Sequence, residues 1–383
     1  MKQSNLWIGG QHVEPSGGDY FDDINPSDQS VIAKVAKGSA SDIDKAVGAA
    51  KEAFQAFSRT QAKEREKVLC DAASIVERDK DEYLGLLIEE VGSPVMKAQF
   101  EVDYCINAFR AAAGVPRRLT GETMPLDRPG AFGMSVREPV GVIACITPFN
   151  VPLLKNVKQI AMVIATGNTS VLLPSEFATQ VTVKFAETLD EAGLPGGVFN
   201  YVTGDPFDIG DVLTSHPDIT AVNFCGSPVI GKRVAEIAAK DLKPITLELG
   251  GKSPLVVLDD ADLEKAIEAA TIGIFFFQGQ ACMASSRIIL QSGIAPSFID
   301  AFTDVARNIK VGDLSDPETA IGPIISERQA NRIRAHIDDA LDKGATLLHG
   351  GNEWKGQCCP PTILTNVKEG MTVFREETFG PVT

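Results

Sequence analysis

Residues 140–173 read VGVIACITPFNVPLLKNVKQIAMVIATGNTSVLL, and this stretch decides the fold class. Residues 140–146 form a short apolar run typical of a buried strand, residues 151–165 follow a helical pattern, and residues 169–173 are apolar again. Strands that alternate with helices in this way pair into a parallel sheet with helices on both faces. The stretch therefore predicts an α/β fold.

The same alternation continues toward the C-terminus. The further predicted elements are extended segments at 198–202, 219–224 and 254–258, and helices at 178–192, 228–239 and 263–277. Because the pattern restarts after Gly251, we expect a first α/β domain from residues 1–119 and 140–249, and a second from residues 250–383.

Two other segments have patterns of their own. Apolar residues recur at helical spacing just after Ser41, which predicts a helix capped by Ser41; they are Ile43, Val47, Ala50, Phe54 and Phe57. In residues 120–139, glycine and proline punctuate short extended pieces, so we expect a projecting β-hairpin there.

Composition excludes several classes of protein. A net charge of −15 argues against binding nucleic acid, which requires clustered basic residues. The N-terminus lacks the apolar core of a signal peptide, and the longest apolar runs are too short to span a membrane. Seven cysteines without paired spacing do not suggest a disulfide framework. A cytoplasmic protein without membrane contact is expected.

Two short segments carry the predicted chemistry. Residues 278–283 read QGQACM and place Cys282 among small neighbours, and residues 248–252 read ELGGK and place Glu248 at a glycine-flanked strand end. A thiol that attacks a carbonyl needs open approach and nearby donors for the developing charge. A carboxylate can activate the water that later releases the acyl group.

These two segments, in this order, resemble the aldehyde dehydrogenase superfamily, and the resemblance extends over essentially the whole chain. It implies that Cys282 is the nucleophile, Glu248 the general base and Asn150 of the segment TPFN a donor to the oxyanion. The form of the cysteine segment is most similar to the benzaldehyde, salicylaldehyde and vanillin dehydrogenases. The implied reaction is NAD(P)-dependent oxidation of an aldehyde, aromatic in this branch, through a thiohemiacetal and a thioester.

The resemblance also implies an architecture. The first domain would be a Rossmann-like cofactor domain, the second the catalytic domain, and the hairpin at 120–139 an oligomerisation arm. A homodimer or homotetramer is expected for the full-length protein. Since members of the family continue beyond Thr383, a C-terminally truncated chain is also expected.

No G-x-G sequence is present among the 34 glycines, so the usual dinucleotide fingerprint is absent. The resemblance supplies other cofactor-binding positions instead, namely Thr147, Phe149, Glu176, Gly226, Ser227, Gly250, Glu377 and Phe379. Glu176 favours NAD, because a carboxylate repels the 2′-phosphate of NADP. Leu173 departs from the family, which usually has lysine there, and its presence is expected to weaken cofactor binding.

Substrate contacts are expected from residues beside the catalytic positions. Four apolar residues would line the substrate tunnel, namely Val151, Leu154, Ala281 and Met283. Lys155 and Lys158 are three apart and share a helical face. They would either meet a phenolate or carboxylate on the substrate or form a solvated surface.

Other functions remain as alternatives. A Cys–His hydrolase or a metal site would use histidine, but none of the four lies in a recognisable motif; they are His12, His216, His336 and His349. No metal is therefore expected. A catalytically impaired or structural member of the family, and a dehydrogenase for aliphatic aldehydes or semialdehydes, are the remaining alternatives. A CoA-acylating enzyme is disfavoured, since those relatives typically lack the counterpart of Glu248.

Overall fold

The computed structural model describes residues 2–383. Its β-strands are β1 (Lys2–Ser4), β2 (Leu6–Ile8), β3 (Gln11–Val13), β4 (Tyr20–Ile24), β5 (Val31–Ala36), β6 (Glu122–Met124), β7 (Gly133–Ser135), β8 (Val142–Ile146), β9 (Thr169–Leu173), β10 (Phe199–Tyr201), β11 (Ile219–Gly226), β12 (Ile245–Leu249), β13 (Pro254–Val257), β14 (Arg287–Leu290), β15 (Thr346–His349) and β16 (Ile363–Thr365).

The α-helices are α1 (Ala40–Phe57), α2 (Ala62–Arg78), α3 (Lys80–Val91), α4 (Val95–Ala113), α5 (Pro152–Ala165), α6 (Thr179–Glu191), α7 (Pro206–Ser215), α8 (Pro228–Lys240), α9 (Leu263–Phe275), α10 (Ala295–Asn308), α11 (Glu327–Asp342) and α12 (Thr372–Arg375). Short 3₁₀ turns lie at Pro116–Arg118 and Phe276–Gly279. Within residues 2–383, no helix is both long enough and apolar enough to cross a membrane.

The chain divides into two compact units. Unit 1 comprises Met1–Asp23, Ile32–Tyr83 and Glu101–Glu248, and unit 2 comprises Ile24–Val31, Leu84–Phe100 and Leu249–Thr383. Each unit has an apolar core of its own.

Unit 1 is built on a sheet with the strand order β12-β11-β8-β9-β10-β2-β3. The central strands are parallel: β8 pairs with both β11 and β9, and β9 pairs with β10. The predicted parallel α/β sheet is therefore confirmed. Strands β2 and β3 extend it in the antiparallel sense, with Trp7 opposite Tyr201.

Helix α1 packs on this sheet through the apolar residues whose spacing predicted it. Ile43, Val47 and Ala50 are fully buried in the core of unit 1. The predicted cap was wrong, because Ser41 lies inside α1 and Ser39 is the N-cap. Ser39 donates its N–H and its hydroxyl to the Asp42 carboxylate, at 3.0 and 2.8 Å. The bond from the Ser39 N–H to the side chain of Asp42, three residues further on, is one half of a capping box.

The parallel strands bring the predicted site residues of unit 1 to one edge. Thr147 follows β8, Glu176 follows β9, Gly226 ends β11, and Glu248 lies near the end of β12. In an open α/β sheet, ligands bind outside the carboxyl ends of the strands. The connectivity therefore places these residues where such a site forms.

Residues 120–139 contain the antiparallel pair β6–β7, with Glu122 opposite Ser135 and Met124 opposite Gly133. Large apolar side chains are exposed along it, including those of Phe132 and Met134. Its role in oligomerisation remains a prediction.

Unit 2 contains two smaller sheets and two apolar clusters. Strand β13 runs parallel to β14, while β15 is antiparallel to β16. The first cluster packs α9 and α10 against β13, and the second packs α11 against the region around β16.

One predicted helix is shorter in the structure, and helix α7 was missed. The helix predicted at 263–277 ends at Phe275, because the backbone of the following residues turns left-handed. Helix α7 was not predicted, although Asp205 caps it through its side chain and Pro206 occupies its first turn. Near residue 383, Val382 makes an isolated parallel bridge with Thr362.

Candidate active site

The segment TPFN is held by hydrogen bonds within unit 1. Thr147 Oγ1 donates to Asn156 Oδ1 at 2.9 Å, and the Thr147 N–H donates to the Leu173 carbonyl at 3.1 Å. Asn150, the predicted oxyanion donor, is 4% exposed and lies just before α5. Neighbouring strand and helix thus fix the position of the segment.

The turn after β9 carries Glu176. Its carboxylate is partly exposed and accepts a hydrogen bond from Ser175 Oγ at 3.3 Å. The ring of the following residue, Phe177, makes an edge-to-face contact with Phe149, at 6.0 Å between centroids. Leu173 is buried in the core of unit 1, so this side chain stabilises the sheet.

The turn after β11 leads into the N-terminus of α8. Ser227 is the N-cap, and its Oγ accepts a hydrogen bond from the Ile230 N–H at 3.4 Å. A side chain at Gly226 would meet the ring of Phe224 at 2.7 Å, which explains the glycine. The backbone N–H groups and the dipole of such a helix N-terminus favour an anion.

Glu248, the predicted general base, pairs with a buried lysine. Lys155 Nζ lies 3.4 Å from Glu248 Oε2; the lysine side chain is 8% exposed and the glutamate 57%. Lys158, three residues further along α5, is exposed. The two lysines therefore do not share an environment, and the sequence analysis missed the pairing of Lys155 with the base.

Cys282, the predicted nucleophile, belongs to unit 2. It lies in a turn closed by a hydrogen bond from the Ala284 N–H to the Ala281 carbonyl at 3.0 Å. Among the seven free cysteines, five are buried, Cys70 is exposed and Cys282 is partly exposed. The Cys282 thiol thus combines a defined turn with access from solvent.

The backbone just before Cys282 is strained. Phe277, Gln278 and Gly279 have φ values of 49°, 55° and 68°. For residues other than glycine this region costs about 1–3 kcal/mol each. A side chain at Gly279 would overlap the carbonyl of Gly380 and lie 2.9 Å from Pro381 N. The sequence showed the glycine but not the two strained residues before it.

Glu377 occupies a half-buried position in unit 2. A side chain at Gly250 would overlap its carboxylate, so the glycine makes room for it. Burial raises the pKa of Glu377, against the opposing effects of the Gly251 N–H hydrogen bond, Arg332 and Lys252. Within residues 2–383, its Oε1 is buried without a hydrogen-bond partner. An acceptor of this kind suits a hydroxyl-bearing ligand.

The residues after Glu377 are fixed by α11. Gln329 Nε2 donates to the carbonyls of Thr378 and Phe379, both at 3.0 Å, and Arg332 Nη2 donates to the Glu377 carbonyl at 2.7 Å. Phe379 itself has a φ of 56°. These hydrogen bonds hold a backbone conformation that phenylalanine seldom adopts.

Lys252 was quoted in the sequence analysis but given no role. Burial and the positive charge of Arg287 lower the pKa of Lys252 to about 8, while the Glu377 carboxylate acts in the opposite direction. About a tenth of Lys252 is therefore neutral at pH 7.

The predicted tunnel residues belong to both units. In unit 1, Val151 is the N-cap of α5, and the N–H of buried Leu154 donates to Glu101 Oε1 at 3.1 Å. In unit 2, Ala281 packs against the core and Met283 is exposed. Their grouping in one tunnel remains a prediction. Within residues 2–383, no group of three or more His, Cys, Asp or Glu side chains is arranged to hold a metal.

Comparison with known proteins identifies related sequences and structures. The aldehyde dehydrogenase family matches residues 12–383. A vanillin dehydrogenase of Pseudomonas fluorescens is 39% identical over 380 residues, covering 98% of this chain and 78% of the relative. The crystal structure of a salicylaldehyde dehydrogenase from Pseudomonas putida G7 complexed with salicylaldehyde is 37% identical, with a TM-score of 0.97, and the match covers 100% of this chain and 80% of that one. The crystal structure of an E. coli NADP-dependent enzyme is 34% identical, with a TM-score of 0.97, and the match covers 100% of this chain and 80% of that one.

Proposed function

The chain belongs to the aldehyde dehydrogenase family, and from this premise we propose that it oxidises an aromatic aldehyde to the carboxylic acid, with NAD as the preferred hydride acceptor. The observation that carries the aromatic substrate is the similarity, over nearly the whole chain, to dehydrogenases of vanillin and salicylaldehyde. In both of those compounds the aldehyde group is attached to an aromatic ring.

The residues present fit a nicotinamide dinucleotide. In unit 1, the N-terminus of α8 with Gly226 and Ser227 offers backbone donors suited to a pyrophosphate. Glu176 offers a carboxylate for ribose hydroxyls and would repel a 2′-phosphate, which favours NAD over NADP. In unit 2, the unpaired Glu377 Oε1 offers an acceptor for a second ribose. When bound, the dinucleotide supplies the hydride acceptor for the oxidation.

The remaining assigned positions have supporting roles. Thr147, Phe149 and Gly250 would shape the backbone around the cofactor, and Phe379 would press on the nicotinamide ring. The first three assignments are supported by the sequence match, and that of Phe379 also by the hydrogen bonds from Gln329 that hold its backbone.

The roles proposed for the chain's own residues are those that the resemblance to the family implies. The Cys282 thiolate attacks the aldehyde carbon, and the amide of Asn150 donates to the resulting oxyanion. Removal of one such donor typically lowers the rate by about 10²- to 10³-fold. After oxidation the acyl group is held on sulfur as a thioester. Glu248 takes a proton from water, which attacks the thioester and releases the carboxylic acid.

The Lys155–Glu248 ion pair is relevant to the last step. The pair restricts the carboxylate while leaving it open to water, since more than half of the Glu248 side chain is exposed. We expect Lys155→Met to slow release of the acyl group more than its formation. A pre-steady-state burst of NADH followed by slower turnover would show this, whereas a smaller burst would place Lys155 in an earlier step.

The substrate and the cofactor are tested together. Purified protein is assayed for reduced nicotinamide with benzaldehyde, vanillin, salicylaldehyde and straight-chain aldehydes, each with NAD and with NADP. Cys282→Ala serves as the inactive control. Higher kcat/KM for the aromatic aldehydes with NAD supports the proposal. Higher values for straight-chain aldehydes or semialdehydes reject the aromatic assignment, and no turnover with any of them favours an impaired or structural member of the family.

Self-association is proposed for the hairpin around β6 and β7. It exposes Phe132 and Met134, and large exposed apolar side chains in one patch mark interaction surfaces. Light scattering of the wild type and of a variant with both residues changed to serine tests it. A homodimer or homotetramer that dissociates in the variant is expected; an unchanged mass would contradict a role for the hairpin.

A further inference from the structure

The left-handed turn before Cys282 requires something to hold it. Phe277 and Gln278 both have positive φ, at 49° and 55°, and both are buried. Residues with a Cβ adopt this backbone conformation only where contacts with their surroundings hold it in place. Such residues cluster at functional sites. Other residues of unit 2 supply that constraint.

Residues 92–100, here called the cradle, contact each residue of the turn in succession. Phe100 makes an edge-to-face contact with Phe276 at 5.6 Å between centroids. Gln278 Nε2 donates to the Gly92 carbonyl at 2.9 Å and also to the Pro323 carbonyl at 3.0 Å. The cradle therefore holds the two ends of the segment from Phe276 to Gln278.

Lys97 provides the contact to the residue between them. Its Nζ lies 4.1 Å from the centroid of the Phe277 ring and donates to Ser93 Oγ at 3.0 Å. The lysine is 1% exposed. A cation over an aromatic face is attracted more strongly when both are shielded from water. The Phe277 ring is thus held by a directional contact as well as by packing.

A packing role alone would not require a charge at this position. Lysine is almost never fully buried unless its charge is compensated, because removing an ammonium group from water is costly. Methionine would fill a similar volume without that cost. The ammonium group over Phe277 gives the ring a directional contact that methionine would not supply, so we expect the path of the turn to depend on it.

We propose that Lys97 is a positioning residue for Cys282. Through the Phe277 ring it fixes the strained turn that delivers the nucleophile, and it does not touch the reacting atoms. The inference rests on the proposed function in one respect, namely that Cys282 is the nucleophile. It assigns a role in catalysis to a residue of the cradle that the reaction steps do not use.

Three variants of the full chain test this proposal. Lys97→Met removes the charge and keeps the volume, Lys97→Arg keeps a cation able to lie over the ring, and Lys63→Met changes an exposed lysine as a matched control. For each, kcat and KM are measured with the best aldehyde from the panel. Hydrogen–deuterium exchange of the peptide spanning residues 276–285 is followed by mass spectrometry, with the peptide of α1 as an internal reference.

For Lys97→Met we expect faster exchange in the 276–285 peptide and no change in α1. We also expect kcat to fall by about 10- to 100-fold with KM within about twofold, as for a misplaced reacting group. Lys97→Arg should restore most of kcat. Unchanged exchange and kcat in Lys97→Met would overturn the proposal, as would an arginine variant as deficient as the methionine variant. If the wild type oxidises no aldehyde, the proposed function fails, while the exchange comparison still decides whether Lys97 holds the turn.

Discussion

Replacement of Gly279 by alanine is the sharpest test of the turn geometry. The residue combines a φ of 68° with a close approach to the backbone of Gly380 and Pro381. An added methyl group meets backbone atoms, which cannot rotate away as the end of a flexible side chain can. Both the backbone conformation and the lack of space should therefore contribute to the cost.

Two other glycines of unit 2 separate these contributions. Gly344 has a φ of 92° with nothing within 4 Å of an added Cβ, so its alanine variant measures the conformational cost alone. That cost is about 1–2 kcal/mol. Gly251 has neither a positive φ nor a neighbour within 4 Å, so its variant should be nearly neutral. Overpacking typically adds about 1–3 kcal/mol, which gives about 2–5 kcal/mol for Gly279→Ala.

Urea unfolding of the three variants and the wild type gives the comparison, with a fluorescence transition that reports unit 2. The expected order of destabilisation is Gly279→Ala, then Gly344→Ala, then Gly251→Ala. If Gly279→Ala costs no more than Gly344→Ala, the close approach to Gly380 does not exist and the account of the turn is wrong. If Gly251→Ala is equally costly, the effect is not specific to the turn.

Further predictions concern the cap of α1, the half-buried carboxylate of Glu377 and the lowered pKa of Lys252. Ser39→Ala should cost about 1 kcal/mol of unfolding free energy, as for other capping residues, whereas Ser41→Ala should be nearly neutral; equal costs would contradict the observed cap. The raised pKa of Glu377 favours the native state at low pH and penalises it as pH rises through the native pKa, so the stability advantage of Glu377→Gln should be larger at about pH 8 than at about pH 4. An advantage that is the same at both pH values would show that Glu377 is not buried as described. Because burial lowers the pKa of Lys252 to about 8, its acylation rate in peptide maps should level off above about pH 9, and a rate that still rises about tenfold between about pH 9 and about pH 10 would contradict this.

The parallel sheet was predictable because its signal is local. Strand β9 matched its predicted bounds, and α5 and α8 were each placed within a residue at either end, since buried strands and amphipathic helices leave periodic apolar patterns. The cap of α1 was misplaced by two residues because both Ser39 and Ser41 are capable caps. Only the contact between Ser39 and Asp42 decides between them.

The assignment of 84–100 to unit 2 was not predictable from periodicity. A helical pattern reports which face of a helix is apolar, but not which sheet or helix that face packs against. The contacts of the cradle with residues far along the sequence, such as Lys97 with Phe277, are of this kind.

The candidate site was predictable where the motif specifies residue type and not where geometry decides. Glycines 226, 250 and 279 stood out in sequence, and each proves to allow a close approach. The pairing of Lys155 with Glu248 left no such signal, because its partners come from a helix and a strand that are distant in sequence. The departure at Leu173 was visible, but its burial in the core required the structure.

The central claim is that Cys282 carries the acyl group during turnover, and trapping that adduct tests it most directly. A Glu248→Gln variant, slow to release the product, is mixed with NAD and benzaldehyde, quenched in acid and digested for mass spectrometry. The account predicts that the peptide containing Cys282 gains the mass of a benzoyl group, and that this adduct is absent without NAD. Aldehyde oxidation by the protein with the adduct on another cysteine, or with undiminished activity in Cys282→Ala, would contradict it.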